Sequence, residues 1–326
     1  MPAMRIVIDR PGGPDVLRAE RYDPGEPGPG EALLRQEAIG LNFIDCHHRS
    51  GRYPLPAYPS PLGLEASGVV ERVGPGVTEV AAGDRVAYSV MRVGAYATHR
   101  RMPADRLLKV PAAIDLHTAA AALNKGLTAH FLCHTTHAVQ PGETILVHAA
   151  AGGVGSILCQ WARRRGARVI GTVGSRPKVA IAQANGCARV IATDTEDVVA
   201  IVRAMTDGAG VPVVYDGVGP ATFDLSLGCL ARRGLLVSFG TASGPLPPFD
   251  LFRLNAMGSL YVTSPGFADH TTDRAEYVGR GTALFAAIAD GTLRVPVTQT
   301  FPLMQAATAH AALHGRRTTG ASVLLP

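Results

Sequence analysis

The chain has 326 residues, of which 47% are hydrophobic and 17% charged, and a formal net charge of +5. That length suits two domains or one large one, and so mild a charge, with no long basic stripe carrying aromatics, speaks against nucleic acid as a partner. No apolar run approaches membrane-spanning length, and five scattered cysteines behind a polar start (M-P-A-M-R-I-V-I-D-R) lead us to expect free thiols in a reducing cytoplasm, with no membrane contact.

Residues 1 to about 110 carry short alternating runs between Gly/Pro clusters. Arg5–Ile8, Ala32–Ile39, Gly68–Val73, Asp84–Ala87 and Tyr96–Arg100 read as strands, which predicts a β-rich barrel or roll. From Thr118 an alanine-rich stretch predicts a helix running to about His137. Thr144–Val147 then reads as a strand buried on both faces. It runs into the glycine turn A-A-A-G-G-V-G and a helix whose Val154, Ile157, Leu158, Trp161 and Ala162 recur at helical spacing. Beyond it, strands (Arg168–Val173, Val190–Thr193, Val211–Asp216, Leu235–Gly240, Ser259–Thr263) alternate with helices (Pro177–Asn185, Glu196–Met205, Ala221–Ala231). The pattern predicts an α/β chain with a doubly wound parallel sheet. The remainder (helix Gly281–Asp290, strand Val295–Phe301, helix Met304–His314, strand Ser322–Leu325) is expected to return to the first domain. The expected division is 1–124 completed by 265–326, and 125–264.

Strand, glycine turn and helix form the context of a dinucleotide fingerprint. Gly152 lets the backbone approach a pyrophosphate, and Gly155 lets the helix lie close to its strand. The first helical N–H groups and the dipole face the phosphate charge. The first glycine of the strict pattern is replaced by Ala150, and a tight turn of another α/β protein remains the plain alternative. An NAD site places an acid about twenty residues past the first glycine to hold the ribose 2′-OH. Here Arg168–Val173 is followed by Gly174, Ser175, Arg176, Pro177 and Lys178. A hydroxyl and two cations without a carboxylate suit a 2′-phosphate, hence NADPH; a solvated helix start is the alternative.

The runs A-I-G-L-N-F-I-D (38–45), G-L-E-A-S-G-V-V (63–70), K-G-L-T-A (125–129), H-A-A-A-G-G-V-G (148–155), V-V-Y-D-G-V-G (213–219) and V-S-F-G (237–240) carry a family resemblance. The chain resembles the zinc-independent, ζ-crystallin-like quinone oxidoreductases of the medium-chain dehydrogenase/reductase superfamily. The resemblance implies a GroES-like barrel domain, a Rossmann domain and NADPH bound between them. It implies that Asn42, Phe43, Ile44, Thr128 and Phe131 line the nicotinamide side and that Gly153 and Val154 meet the pyrophosphate. Ser175 and Lys178, joined by Gly174 and Arg176, would hold the 2′-phosphate, and Arg316 would reach the cofactor from the C-terminal return. Val218, Phe239, Gly240 and Thr241 would border the riboside. It also implies a homodimer joined through the edge strand 259–263. Relatives often carry a tyrosine where this chain has Thr193, and Arg176 is the candidate to compensate.

Zinc-dependent relatives have a ligating cysteine at the position of Asn42 and a histidine at that of Leu64, and only Glu65 of their G-H-E pattern remains. No metal is therefore expected there. His130, Cys133, His134 and His137 fall at metal-compatible spacing on one predicted helix, with surface or interdomain histidines as the plain alternative. No catalytic triad or carboxylate pair stands out. Asn42, Tyr53, Lys125 and Thr128 are the candidates to polarise a carbonyl, although Tyr53 could serve loop packing and Lys125 an ion pair. The leading expectation is NADPH:quinone oxidoreduction. The rivals are NADPH-dependent reduction of α,β-unsaturated carbonyls and, from another class, an RNA-binding or structural role.

Overall fold

The computed structural model describes residues 2–315 and 318–326, so Arg316 lies outside the described residues. The chain separates into two compact units, Met1–Leu127 with Thr271–Pro326, and Thr128–His270.

The first unit is built on a seven-stranded sheet. Its order runs Val297–Pro302, Ala321–Leu325, Glu31–Gly40, Glu65–Val73, Arg85–Ser89 and Leu108–Lys109, and His99–Pro103 also pairs with Glu31–Gly40. Most of these pairings are antiparallel. The C-terminal strand joins through Val323↔Gly40 and Leu324↔Ile39, which ties the end of the chain to the sheet. A three-stranded sheet of Arg18–Arg21, Met4–Ile8 and Ser60–Pro61 adds to it. Ile8, Leu34, Ile39, Leu62, Tyr88 and Tyr96 meet in its core.

Several elements depart from the sequence reading. Phe43–Ser50 is a helix in the stretch between the expected strands Ala32–Ile39 and Gly68–Val73, where no element was expected. Asp45 Oδ2 accepts the Asn42 N–H at 2.9 Å at its start, and Gly51 ends it in the left-handed region at φ 80°. The expected strand Tyr96–Arg100 lies three residues later, at His99–Pro103. The alanine-rich helix spans Leu116–Phe131 and passes into a π-helical turn at Leu132–Thr136. The helix expected from Gly281 begins at Arg274, where the Asp273 side chain accepts the Glu276 N–H.

The second unit is the expected parallel sheet. Its order is Arg189–Ala192, Arg168–Val173, Thr144–Val147, Val211–Asp216, Leu230–Ser238 and Tyr261–Thr263, every pairing parallel. Thr144–Val147, the first of these strands in chain order, lies third in the sheet, so the connections leave it in both directions. That makes a topological switch point beside its carboxyl end. Leu146, Ile170, Ile191, Val214 and Leu236 form the sheet's buried core, as expected for strands covered on both faces.

Candidate active site

In the second unit the residues named for the cofactor follow the carboxyl ends of successive parallel strands. Gly152 is the residue before the helix Gly153–Arg164, with Val154 in its first turn. A Cβ on Gly155 would lie 2.3 Å from the Ala149 carbonyl oxygen, so only glycine allows the helix this close to the turn. Ala149 itself has φ 52°. Gly174 and Ser175 follow the second strand, and Arg176 and Lys178 form a 3₁₀ turn with Pro177 inside it. The Ser175 hydroxyl makes no capping bond, and Gly174 and Arg176 are exposed. Thr193 follows the third strand and donates its backbone N–H to the Val173 carbonyl at 2.9 Å, which sets it beside Gly174.

After the fourth strand, a residue that the sequence reading did not single out organises the turn. Asp216 is buried, and its Oδ1 accepts the N–H groups of Val218 at 2.8 Å and Gly219 at 3.1 Å. The hydroxyls of Thr222 and Ser226 each donate to Oδ2 at 2.8 Å. One carboxylate thus fixes the loop that carries Val218 and the start of the helix Pro220–Cys229. Phe239, Gly240 and Thr241 follow the fifth strand, all partly buried, and Phe239 donates its N–H to the Asp216 carbonyl at 2.9 Å. Thr128 is partly buried, whereas Phe131 is buried and its ring stacks on His270 at 4.2 Å.

The histidine face does not assemble as a metal site. The rings of His130 and His134 stack at 4.0 Å, and the Trp161 edge packs against both. His137 faces Glu143 at 3.1 Å. The π-helical turn at Leu132–Thr136 breaks the regular spacing on which the metal reading depended. Among the described residues, no group of three or more His, Cys, Asp or Glu side chains is placed to hold a metal.

In the first unit Asn42 and Lys125 meet. Lys125 Nζ donates to Asn42 Oδ1 at 2.8 Å, and Asn42 Nδ2 donates to Glu65 Oε2 at 2.7 Å. The amide's orientation follows from its neighbours, because an ammonium only donates and a carboxylate only accepts. Glu65 Oε1 accepts the Asn124 N–H at 2.5 Å, and Lys125 Nζ stands 3.6 Å from Glu65 Oε2. Burial pushes the Glu65 carboxyl above its ordinary value, against the Lys125 charge and the hydrogen bonds from Asn42 and Asn124. Gly40 makes room for it: a Cβ there would lie 2.2 Å from Glu65 Oε2 and 2.4 Å from the Ala120 carbonyl.

A second buried network lies on the other side of Asn42. Asp45 Oδ2 accepts the Tyr96 hydroxyl at 3.1 Å, and that hydroxyl lies 2.9 Å from His310 Nε2. Burial raises the Asp45 carboxyl to about 7 and lowers the His310 imidazole to about 3. Tyr53 is 41% exposed, with its ring edge-on to His47 at 5.0 Å, while Phe43 and Ile44 are half-buried. Burial holds the His47 imidazole near 4, so it is neutral at physiological pH. Sequence reasoning noted Glu65 only as a remnant of a zinc pattern and missed Asp216, Tyr96 and His310. Of these, Asp216 stands in the quoted run V-V-Y-D-G-V-G.

Two family models match the chain, the alcohol dehydrogenase GroES-like domain over residues 28–112 and the zinc-binding dehydrogenase over residues 153–277. The chain is 47% identical to a quinone oxidoreductase of Pseudomonas aeruginosa over 99% of its length and 100% of that protein's. It is 44% identical to a 2-haloacrylate reductase of Burkholderia sp. over 99% of each chain. The crystal structure of Escherichia coli quinone oxidoreductase complexed with NADPH superposes with a TM-score of 0.97 at 46% identity, covering 99% of this chain and 100% of that one. With both units and their full length matched, the chain belongs to the quinone oxidoreductase family of the medium-chain dehydrogenases/reductases.

Proposed function

We propose that the chain is an NADPH-dependent oxidoreductase that reduces small quinones without a metal ion. The observation that carries this reading is the buried pair of Asn42 and Lys125, an amide and an ammonium facing one another over Glu65. Asn42 Nδ2 has a second N–H beyond the one given to Glu65, and Nζ has a third beyond those directed to Asn42 and Glu65. Such donors answer the negative charge that an acceptor oxygen gains on reduction. Leu64, buried beside Glu65, has no ligating atom, which supports metal-free chemistry.

The cofactor fits the residues present. The Gly152–Gly155 turn offers backbone N–H groups at a helix start, and Gly155, whose Cβ would strike the Ala149 carbonyl, lets that helix begin close against the turn. Gly174, Ser175, Arg176 and Lys178 would hold the 2′-phosphate with no carboxylate among them, and Thr193 would stand beside them. Val218, Phe239, Gly240 and Thr241 would border the riboside, and Phe43, Ile44, Thr128 and Phe131 the nicotinamide. When bound, the nicotinamide supplies the hydride. The chain's own tasks are to orient the acceptor, exclude water and stabilise charge at the acceptor oxygen through Asn42 and Lys125. Tyr53, edge-on to His47, is the candidate to border the acceptor.

The similarity to a 2-haloacrylate reductase favours a second reading, reduction of α,β-unsaturated carbonyls by the same donors. Following NADPH oxidation with 1,4-benzoquinone, 9,10-phenanthrenequinone and an enone panel, with NADH in parallel and with chelator added, tests both. Quinone turnover above enone turnover, indifferent to chelator and specific for NADPH, is expected; enone turnover well above quinone turnover would replace the first reading by the second.

We also propose a homodimer through Tyr261–Thr263, the edge of the parallel sheet, where Tyr261 is 58% exposed. A reducing cytoplasm is the proposed compartment, supported by five buried free cysteines. No helix among the described residues is long and apolar enough to cross a membrane.

A further inference from the structure

We propose that Glu65 is a positioning residue that fixes Asn42 and Lys125 as one donor unit, and that Lys125 releases the proton that completes reduction of the acceptor. This rests on the reading of Asn42 and Lys125 as the groups that meet the acceptor oxygen.

A carboxylate with no solvent exposure is costly, and the fold surrounds this one with donors. Gly40 vacates the space, the Asn124 N–H takes Oε1, and Asn42 Nδ2 takes Oε2. Lys125 Nζ, on a side chain only 8% exposed, completes the set at 3.6 Å from Oε2 and 2.8 Å from Asn42 Oδ1. With Glu65 in place the amide has a single orientation. Oδ1 faces the ammonium, Nδ2 faces the carboxylate, and one N–H on each donor is left unspent. Were Glu65 absent, the amide could turn over and present its oxygen where a developing oxyanion requires a donor.

Hydride addition brings two electrons and one hydrogen to the acceptor and leaves an oxyanion. A proton from Lys125 Nζ makes the neutral hydroquinone, and the resulting amine regains its proton from water. No other oxidant or reductant is needed. The Asn42–Glu65 pair holds Nζ in place for this transfer and keeps a compensating charge beside it.

The proposal separates acceptors by the basicity of their reduced form. A 2-methyl-1,4-naphthoquinone product needs the proton, whereas tetrachloro-1,4-benzoquinone yields a product stable as an anion. With the full chain and NADPH, Lys125→Met is expected to lower kcat on the naphthoquinone about 100-fold, the low end of a general acid's contribution, and to lower turnover of the tetrachloroquinone only about tenfold, where the donor to the oxyanion is lost but no proton is required. Lys125→Arg should not restore the loss, since a guanidinium keeps its proton. Glu65→Gln should show the same acceptor dependence at about tenfold, and Glu65→Gln with Lys125→Met together should cost no more than Lys125→Met alone. If Glu65→Gln does not fold, Glu65→Asp, which shortens the reach to Asn42, should give that pattern instead. NADPH affinity by fluorescence titration should stay within about twofold in each variant, apart from any turnover.

A uniform loss on both acceptors, or additive losses in the double variant, would overturn the proposal while leaving the quinone reductase reading intact. A wild-type chain that binds no NADPH and reduces neither quinone would overturn both.

Discussion

The Tyr96 hydroxyl donates to the Asp45 carboxyl at 3.1 Å in a part of the core that no solvent reaches. This pairing gives the chain a pH dependence that can be dissected. Burial raises Asp45 from 3.8 to about 7, so the folded state keeps a proton that the unfolded chain releases near pH 4. Its stabilising contribution is therefore present in acid and is lost as pH climbs towards 7. His310, lowered from 6.5 to about 3, acts in the opposite sense: its contribution is present above 6.5 and is lost as pH falls towards 3. Between pH 4 and 6.5 the two slopes oppose each other. Asp45→Asn removes only the first, so the variant should lose stability on acidification more steeply than the wild type. Denaturant unfolding at pH 5 and pH 8 measures this. Between pH 8 and pH 5 the wild type should gain about 2.7 kcal/mol on the variant, because a one-proton difference between folded and unfolded chains, held from about pH 7 down to pH 5, is worth ~1.4 kcal/mol for each pH step of one. An equal gap at both values would mean that Asp45 titrates as an ordinary carboxylate.

Much of the second unit could be read from the sequence because its signals are local. Thr144–Val147 is apolar and β-branched, and Arg168–Val173 and Val211–Asp216 have the bounds expected of them. The family runs led to Asn42 and Lys125, but what joins them was hidden. Glu65, 23 residues from Asn42 in the chain, reaches it only because antiparallel pairing places Ala66 opposite Ile39. His310 joins the Asp45 network from 214 residues beyond Tyr96, and no periodicity reports such a contact. The helix Phe43–Ser50 escaped because its polar or charged Asp45, His48 and Arg49 are buried along with Cys46, which hydropathy cannot foresee. The four-residue spacing of His130 and His134 is real, and it produces a ring stack against Trp161.

Arg176 tests the cofactor preference. It is exposed, directly after Ser175, where an NAD site would have a carboxylate nearby. Arg176→Ala should weaken NADPH binding about tenfold, or ~1.4 kcal/mol, and leave NADH binding unchanged. Fluorescence titration with both nucleotides reads this directly. Unchanged NADPH affinity would remove Arg176 as the substitute for the family tyrosine at Thr193.

Gly40 tests whether the Glu65 site can yield. The Ala120 carbonyl, 2.4 Å from where a Cβ would lie, belongs to the backbone of the helix Leu116–Phe131 and cannot swing aside. Gly40→Ala should therefore cost about 1–3 kcal/mol, the usual penalty of overpacking, and displace Glu65 from Asn42. A lowered melting temperature together with a loss of turnover on the naphthoquinone is the expected pair of results. A variant as stable and active as wild type would show that the strand and helix can separate at little cost.

The edge strand gives the last test. Tyr261–Thr263 pairs on one side with Leu230–Ser238 and closes the sheet's order, so its outer backbone groups form a template for another strand. Tyr261 and, just before the strand, Met257 at 40% exposure add apolar surface to that edge. A second copy meeting it about a two-fold axis would continue the sheet and bury both side chains. Tyr261→Asp places a charge in that seam, opposite its own symmetry mate or close to it, at a cost that like charges across paired strands make unfavourable. In sedimentation velocity the wild type should run as a dimer of about 68 kDa, twice the 34.0 kDa chain, and Tyr261→Asp should shift towards the monomer at micromolar concentration. The side chain is more than half exposed in the single chain, so its replacement should leave the monomer's own melting temperature nearly unchanged. A wild type that sediments as a monomer, or a dimer indifferent to the charge, would rule out this edge as the interface.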